Sequence, residues 1–181
     1  MTEVTITRLG LHGDGMAAGP VYAPRTLPGE VVSGELDGQN LRDVKIISPS
    51  DQRVSPPCRH FKSCGGCQLQ HANDDFVADW KVDVVRRALE VHGLETVFRP
   101  ISTSPPNSRR RAGFAVKRTK KGAEVGFYGR ASEVVVDTPD CQLLDPDVLA
   151  AREACKALAL AGASRKVALS VLVTASQTGL D

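Results

Sequence analysis

Three cysteines fall within ten residues, in Cys58-Arg-His-Phe-Lys-Ser-Cys64-Gly-Gly-Cys67, and a fourth stands far downstream in Thr138-Pro-Asp-Cys141-Gln-Leu-Leu. A loop with three sulfurs cannot complete four-coordinate thiolate geometry alone. Cys141 is the available fourth donor, so the expectation is a metal centre that ties two distant parts of the chain together. Gly65 and Gly66 lack a Cβ, which lets the backbone take positive φ and curl around whatever the sulfurs hold. Pro56 and Pro57 stiffen the approach and exclude a helix running into Cys58.

Three readings of these thiols stand side by side. An iron–sulfur cluster wants four thiolates, commonly several from one loop and one from afar. Structural zinc more often uses paired C-x-x-C knuckles, and here there is one knuckle in a C-x5-C-x2-C pattern. Unrelated buried thiols are the third reading. The spacing favours the cluster. Cys155 differs, because it lies on the apolar stripe of its own segment and reads as a small buried hydrophobe. His60 and His71 are close enough in sequence to compete as ligands, but with Cys141 available they read as structural or solvent-facing.

At 181 residues the chain suits one large domain or two small ones. The net charge of +2 hides a split: Arg99 to Arg130 holds nine Lys or Arg residues against Glu124 alone. Arg109, Arg110, Arg111, Lys117, Arg118, Lys120, Lys121 and Arg130 are the candidates for contact with a phosphate backbone, because a one-signed patch concentrates anions. A solvated hairpin rim is the plainer alternative. Aromatic residues make up 4% of the chain, which argues against a large stacking platform for bases. Met1-Thr2-Glu3 leads straight into an alternating segment, and no apolar run approaches the roughly 18 residues of a membrane span. A cytoplasmic protein with reduced thiols is therefore expected, with no membrane partner.

Residues 1–48 read as about five short strands in a small OB-like barrel. Val4 and Ile6 alternate with threonines. Gly10 to Gly19 reads as a glycine-rich connection, and Asp37-Gly38-Gln39-Asn40 as a hairpin turn. A linker runs from Pro49 to Pro57. Asn73 or Asp74 then caps an amphipathic helix carrying Phe76, Trp80, Val84 and Ala88 and ended by Gly93. Ala112–Arg118, Val125–Tyr128 and Ser132–Asp137 read as strands. Asp145-Pro146 starts a second helix with Val148, Ala151, Cys155 and Leu158 on one face, and Val167–Thr174 is a final strand. The fold class is mainly β with α: a barrel, then an α+β domain with an antiparallel sheet and the cysteine loop. Asp137, Asp140, Asp145 and Asp147 cluster near Cys141, where turn and capping duties account for them. No nucleophile–base pair and no glycine loop of the kind that holds S-adenosylmethionine is recognisable, so no catalytic residue is assigned.

The chain resembles the TRAM-containing, iron–sulfur RNA uracil-5-methyltransferases. The resemblance is carried by the Leu27-Pro28-Gly29-Glu30 turn, by Arg53-Val-Ser-Pro-Pro-Cys58 with Cys64-Gly-Gly-Cys67 and Gln70-His71, and by Ser108-Arg-Arg-Arg111, Val125-Gly-Phe-Tyr128 and Asp140-Cys141-Gln-Leu-Leu. It implies a TRAM-like barrel over 1–48 and an iron–sulfur central domain over 49–181, incomplete at its C-terminus. It also implies one 4Fe–4S cluster on Cys58, Cys64, Cys67 and Cys141, and RNA, ribosomal or transfer, as partner. The family transfers methyl from S-adenosylmethionine to uridine C5 on a base that must be flipped out. The catalytic domain with its cofactor loop is expected beyond residue 181. A stand-alone iron–sulfur RNA-binding module without catalysis is the alternative.

Overall fold

The computed structural model describes all residues, 1–181, as two compact units. The first comprises Met1–Pro57 and Gln68–Ser102, the second Cys58–Cys67 and Thr103–Asp181.

In the first unit, β1 (Thr2–Leu9), β2 (Gly15–Ala17), β3 (Val21–Ala23), β4 (Val31–Asp37) and β5 (Asn40–Ser48) close a barrel in the order β1-β2-β3-β5-β4. The pairs are antiparallel except β3 with β5, which join in parallel through Tyr22 and Asn40. Alternation works as expected: Ile6, Ala17, Val21, Ala23, Val32 and Leu41 point inward and form the barrel core. The Asp37–Asn40 turn joins β4 to β5, with Gly38 at φ +58°. β2 lies inside the stretch expected to be a glycine-rich connection. Gly15 belongs to that strand for a steric reason, since a Cβ there would meet Thr26 Oγ1 at 2.0 Å.

The helix α1 (Asp74–Glu90) starts where expected. Asn73 is its N-cap and accepts from the Phe76 amide at 2.8 Å. Gly93, at φ +65°, follows its end. Phe76, Val77 and Trp80 pack on Leu9, Leu27 and Ala72, so α1 shares the barrel's unit rather than that of the cysteine loop.

A buried polar cluster closes this unit. Glu30 is fully buried. Its carboxylate accepts from Arg53 Nη2 and from the Leu27 amide, each at 2.8 Å, and from the Ser50 amide at 3.3 Å. Burial opposes its ionisation, but these donors outweigh burial and hold the carboxyl below its ordinary range. His71 is buried beside it. Burial first, then the Arg53 charge, lowers its pKa to about 4.

In the second unit the sheet order is β10-β9-β6-β7-β8, antiparallel throughout, from β6 (Arg111–Arg118), β7 (Ala123–Tyr128), β8 (Val135–Asp137), β9 (Leu169–Ser176) and β10 (Gly179–Leu180). Ala112, Phe114 and Val116 of β6 turn one face into a core completed by Val125, Leu144, Val148, Cys155, Ala159 and Val173. Burying Phe114 alone is worth about 1.5–3 kcal/mol. Three expectations change here. The strand expected over Ser132–Asp137 shortens to three residues, because Gly129 N–H bonds to Val134 O and Ala131 sits at φ +47° in a turn. The second helix is two, α2 (Pro146–Ala150) and α3 (Arg152–Gly162). The buried face runs through Val148, Arg152, Cys155 and Ala159, so Leu158, expected on it, is 54% exposed. No helix is long and apolar enough to cross a membrane.

His71 generates a prediction. Its pKa in the fold lies below the unfolded value of about 6.5, so the unfolded chain binds the extra proton first. The stabilisation is complete above about pH 6.5 and is lost as pH falls towards 4. The unfolding free energy from urea titrations should drop over that window by on the order of 3 kcal/mol, and His71→Phe should flatten the drop. An equally steep drop in the variant would contradict this.

Candidate metal centre and nucleic-acid interface

The cysteine loop is built by local turns and then pinned to the sheet. Phe61 N–H bonds to Cys58 O at 3.1 Å, and Cys64 N–H to His60 O at 2.8 Å, which winds the segment between the first two thiols. Gly65 N–H then bonds to Tyr128 O at 2.9 Å, and Cys64 bridges to Gly129 just beyond β7. Neither Gly65 nor Gly66 takes positive φ, contrary to expectation. Gly65 is required for another reason: a Cβ there would stand 2.8 Å from Tyr128 O. At Gly66 the nearest atom would be Cys64 Sγ at 3.4 Å, an ordinary contact.

Cys141 arrives from the other side of the sheet's last hairpin. β8 ends at Asp137, Thr138 is buried with its amide bonded to Val125 O, and Cys141 packs partly against the core. All five cysteines are free thiols; Cys64 is buried and Cys58, Cys67 and Cys141 are half-buried. The Cys64 thiol is pushed up by burial, held back by the Gly66 amide, which donates to its sulfur at 3.3 Å, and pushed further by Cys141 and Cys58. Cys64 therefore lies within electrostatic reach of both Cys58 and the remote Cys141. The side chains do not gather into a group of three or more that one metal ion could share. Cys155 is separate, inside the helix-facing core, with burial raising its thiol.

A charged network lies at the same place. Arg59 Nε is 2.9 Å from Asp140 Oδ2 and His60 Nε2 is 2.7 Å from Asp140 Oδ1. The His60 hydrogen bond, with Arg59 adding to it, lowers the Asp140 carboxyl. Asp140 thus does more than the turn duty expected of it. Asp137 does too: it accepts from the Val125 amide at 3.1 Å and pairs with buried Arg152, which donates to Val125 O at 2.8 Å. Asp145 is the helix cap expected, accepting from the Asp147 amide. His71 is buried in the first unit beside Glu30 and Arg53, in a structural setting.

The basic residues separate into two places. Arg109, Arg110 and Arg111 are exposed at the start of β6, beside β9. They line a groove of about 770 Å³ with Thr174, Ala175, Ser176, Gln177 and Thr178. Arg111 Nε donates to Thr174 Oγ1 at 3.3 Å. Lys117 and Arg118 end β6, and Lys120 and Lys121 occupy the turn after it, roughly 23 Å along the strand from Arg111. Since β7 runs antiparallel, Arg130 follows β7 at the Arg109–Arg111 end, where Cys64 also bridges to Gly129. The arginine triplet, Arg130 and the cysteine loop share one end of the sheet. The hydroxyls of β9 escaped the sequence reading because they sit in a strand with no charge signal.

Gly65→Ala should destabilise the metal-free chain by about 1–3 kcal/mol in urea denaturation, as overpacking does. Gly66→Ala should stay within about 0.5 kcal/mol of the parent. Equal effects at the two positions would contradict the close approach at Gly65.

No family model matches the chain. It is 40% identical over 188 residues to an "Uncharacterized RNA methyltransferase" of Caulobacter vibrioides, covering all of this chain and 45% of that protein. A Rhizobium meliloti protein of the same description is 38% identical over 187 residues, covering 98% and 45%. The "23S rRNA (uracil(1939)-C(5))-methyltransferase RlmD" of a Marinomonas strain is 37% identical over 131 residues, covering 67% of this chain and 29% of that one. The chain spans less than half the length of these curated relatives. Among solved structures, the Pyrococcus abyssi tRNA (uracil-54, C5)-methyltransferase in complex with S-adenosyl-L-homocysteine shares the fold. Its TM-score is 0.65 at 22% identity, over 97% of this chain and 43% of that one.

Proposed function

The chain belongs with the RNA methyltransferases, matching their N-terminal portion, and from that premise we propose that it is the RNA-binding and 4Fe–4S-binding part of an RNA uracil-C5 methyltransferase acting on rRNA or tRNA. The observation that carries this reading is the contact of Arg59 and His60, in the loop that bears Cys58 and Cys64, with Asp140, which sets the segment of the remote Cys141 against that loop.

The residues present fit such a group. The four candidate thiols, Cys58, Cys64, Cys67 and Cys141, are free and lie in one compact unit, with Cys64 buried among them. Crowding disfavours thiolates while no cation is near, and a bound cationic core reverses that preference. The sulfurs of a single tetrahedral zinc stand roughly 4 Å apart, given Zn–S bonds of about 2.3 Å. One C-x2-C knuckle with Cys58 and a remote Cys141 suits a four-thiolate cluster better than the paired knuckles of structural zinc. When bound, the cluster would supply metal–thiolate bonds joining the loop to the segment after β8. Cys58, Cys64 and Cys67 would donate from the loop and Cys141 from that segment.

RNA contact follows from the same end of the sheet. Arg109, Arg110 and Arg111 offer planar, permanently charged donors to phosphate, and Arg130 adds charge beside the cysteine loop. Thr174 and Ser176 line the same groove with hydroxyls. Lys117, Arg118, Lys120 and Lys121 form a second, distant patch that suits backbone contact further along an RNA. Methyl transfer from S-adenosylmethionine is the activity of the whole enzyme in this reading, and no residue of this chain is assigned to it.

Two experiments test the proposal. Anaerobically purified chain should contain iron and sulfide and absorb near 400 nm. Cys141→Ser should lose iron as completely as Cys64→Ser, whereas Cys155→Ser should keep it. One equivalent of zinc without iron would overturn the cluster. Reversing Arg110 and Arg111 to Glu should weaken RNA binding by on the order of tenfold and reduce its salt slope by about 2. Unchanged affinity would make the groove a solvated rim.

A further inference from the structure

His60 stands between Cys58 and Cys64, and Asp140 immediately precedes Cys141. His60 is joined to both ligand segments at once. Its ring N–H donates to Asp140 Oδ1 at 2.7 Å, while its carbonyl accepts the Cys64 amide at 2.8 Å and the Ser63 amide at 3.0 Å. The second carboxylate oxygen of Asp140 takes Arg59 Nε at 2.9 Å. One carboxylate thereby holds two consecutive residues of the cysteine loop, and the His60 side chain is only 18% exposed.

The sheet by itself does not make this connection. The bridge at Gly129 fixes Cys64 to the end of β7. Bonds from Thr138 to Val125, and from Asn107 and Arg109 to Gln142 and Leu143, fix the segment around Cys141 to the rest of the unit. The Asp140 contacts join the two ligand-bearing segments directly. A half-exposed ion pair adds little to global stability, so its effect is local: it limits how far Cys141 can drift from Cys64.

We propose that Arg59, His60 and Asp140 form a clasp that keeps Cys141 beside Cys64 and Cys58 in the metal-free chain, so that an iron–sulfur core enters a preformed site. The inference rests on the cluster reading above and extends it to residues that position the ligands without touching the core. Preorganisation of this kind removes ordering cost from the binding step.

The test measures thiol proximity before any metal is present. In a full-length chain with Cys58, Cys67 and Cys155 replaced by Ser, the effective concentration of Cys64 against Cys141 is read from disulfide formation in a glutathione redox buffer. His60→Ala and Asp140→Ala should each lower it about tenfold. The double variant should fall no further than Asp140→Ala alone, because every contact of the clasp runs through that carboxylate. Urea midpoints should stay near the parent's, which separates the clasp from a general structural role. In the chain with all its cysteines, both variants should also slow the rise of absorbance near 400 nm on reconstitution with ferrous iron and sulfide. Unchanged thiol proximity in both single variants, or losses that add in the double variant, would overturn the clasp. A parent chain that takes up no iron and sulfide would overturn the cluster reading instead, and the thiol measurement would still decide the clasp.

Discussion

The antiparallel return of β7 into β8 is what brings residue 141 back beside residue 64. The loop from Cys58 to Cys67 would be free to wander if it were held only by its own turns. Pairing Gly65 with Tyr128 sets it against the end of β7, and the next hairpin delivers the chain through Asp137 to Cys141. Closing so long a loop costs entropy that the thiols alone could not offset. The cost is met by the core under β6, β7 and α3, where Phe114, Val116 and Val125 are almost fully buried. The proposed centre therefore depends on the sheet.

That arrangement also decides which basic residues can act with the thiols. Linear sequence groups Arg109 to Arg130 as one basic segment. Strand geometry splits it, since side chains at opposite ends of an eight-residue strand cannot address one short stretch of backbone. Arg109, Arg110, Arg111 and Arg130 gather at the cysteine end, and the lysines gather at the other. An RNA held at the first place would lie near the end of the sheet that the cysteine loop covers.

Much of this was legible in the chain itself, and the exceptions have physical causes. Val4 and Ile6 alternating with threonines, the Asp37–Asn40 turn, and Asn73 before an amphipathic run each fix a local conformation, and each was readable. β2 was hidden because strand propensity is blind to glycines placed for close packing, as Gly15 is against Thr26. The inward place of Arg152 was hidden because a charged side chain reads as solvent-facing until its tertiary partners, Asp137 and Val125, are known. Gly65 was noticed for the wrong property: its freedom in φ goes unused, and its missing side chain makes room for Tyr128 O. Asp140 looked like a turn residue because a hydrogen bond to a histidine eighty positions away leaves no trace in local sequence.

Two carboxylates in this chain show how differently the same chemistry can be used. Glu30 is wholly enclosed, and a charge there is tolerable only because Arg53 and two amides satisfy it together. Removing any donor would leave a buried anion short of partners, so that cluster is a matter of stability. Asp140 is half exposed, and water would satisfy it if His60 and Arg59 were lost. Its contacts can therefore come and go at small cost to the fold, and what they control is geometry. Charge gives a further reason for the pairing. In the proposed centre four thiolates would concentrate negative charge, and an unpaired aspartate next to one of them would add to it. Arg59 offsets that charge on the spot, which lets a carboxylate serve as the anchor beside Cys141 without working against the cysteines it positions.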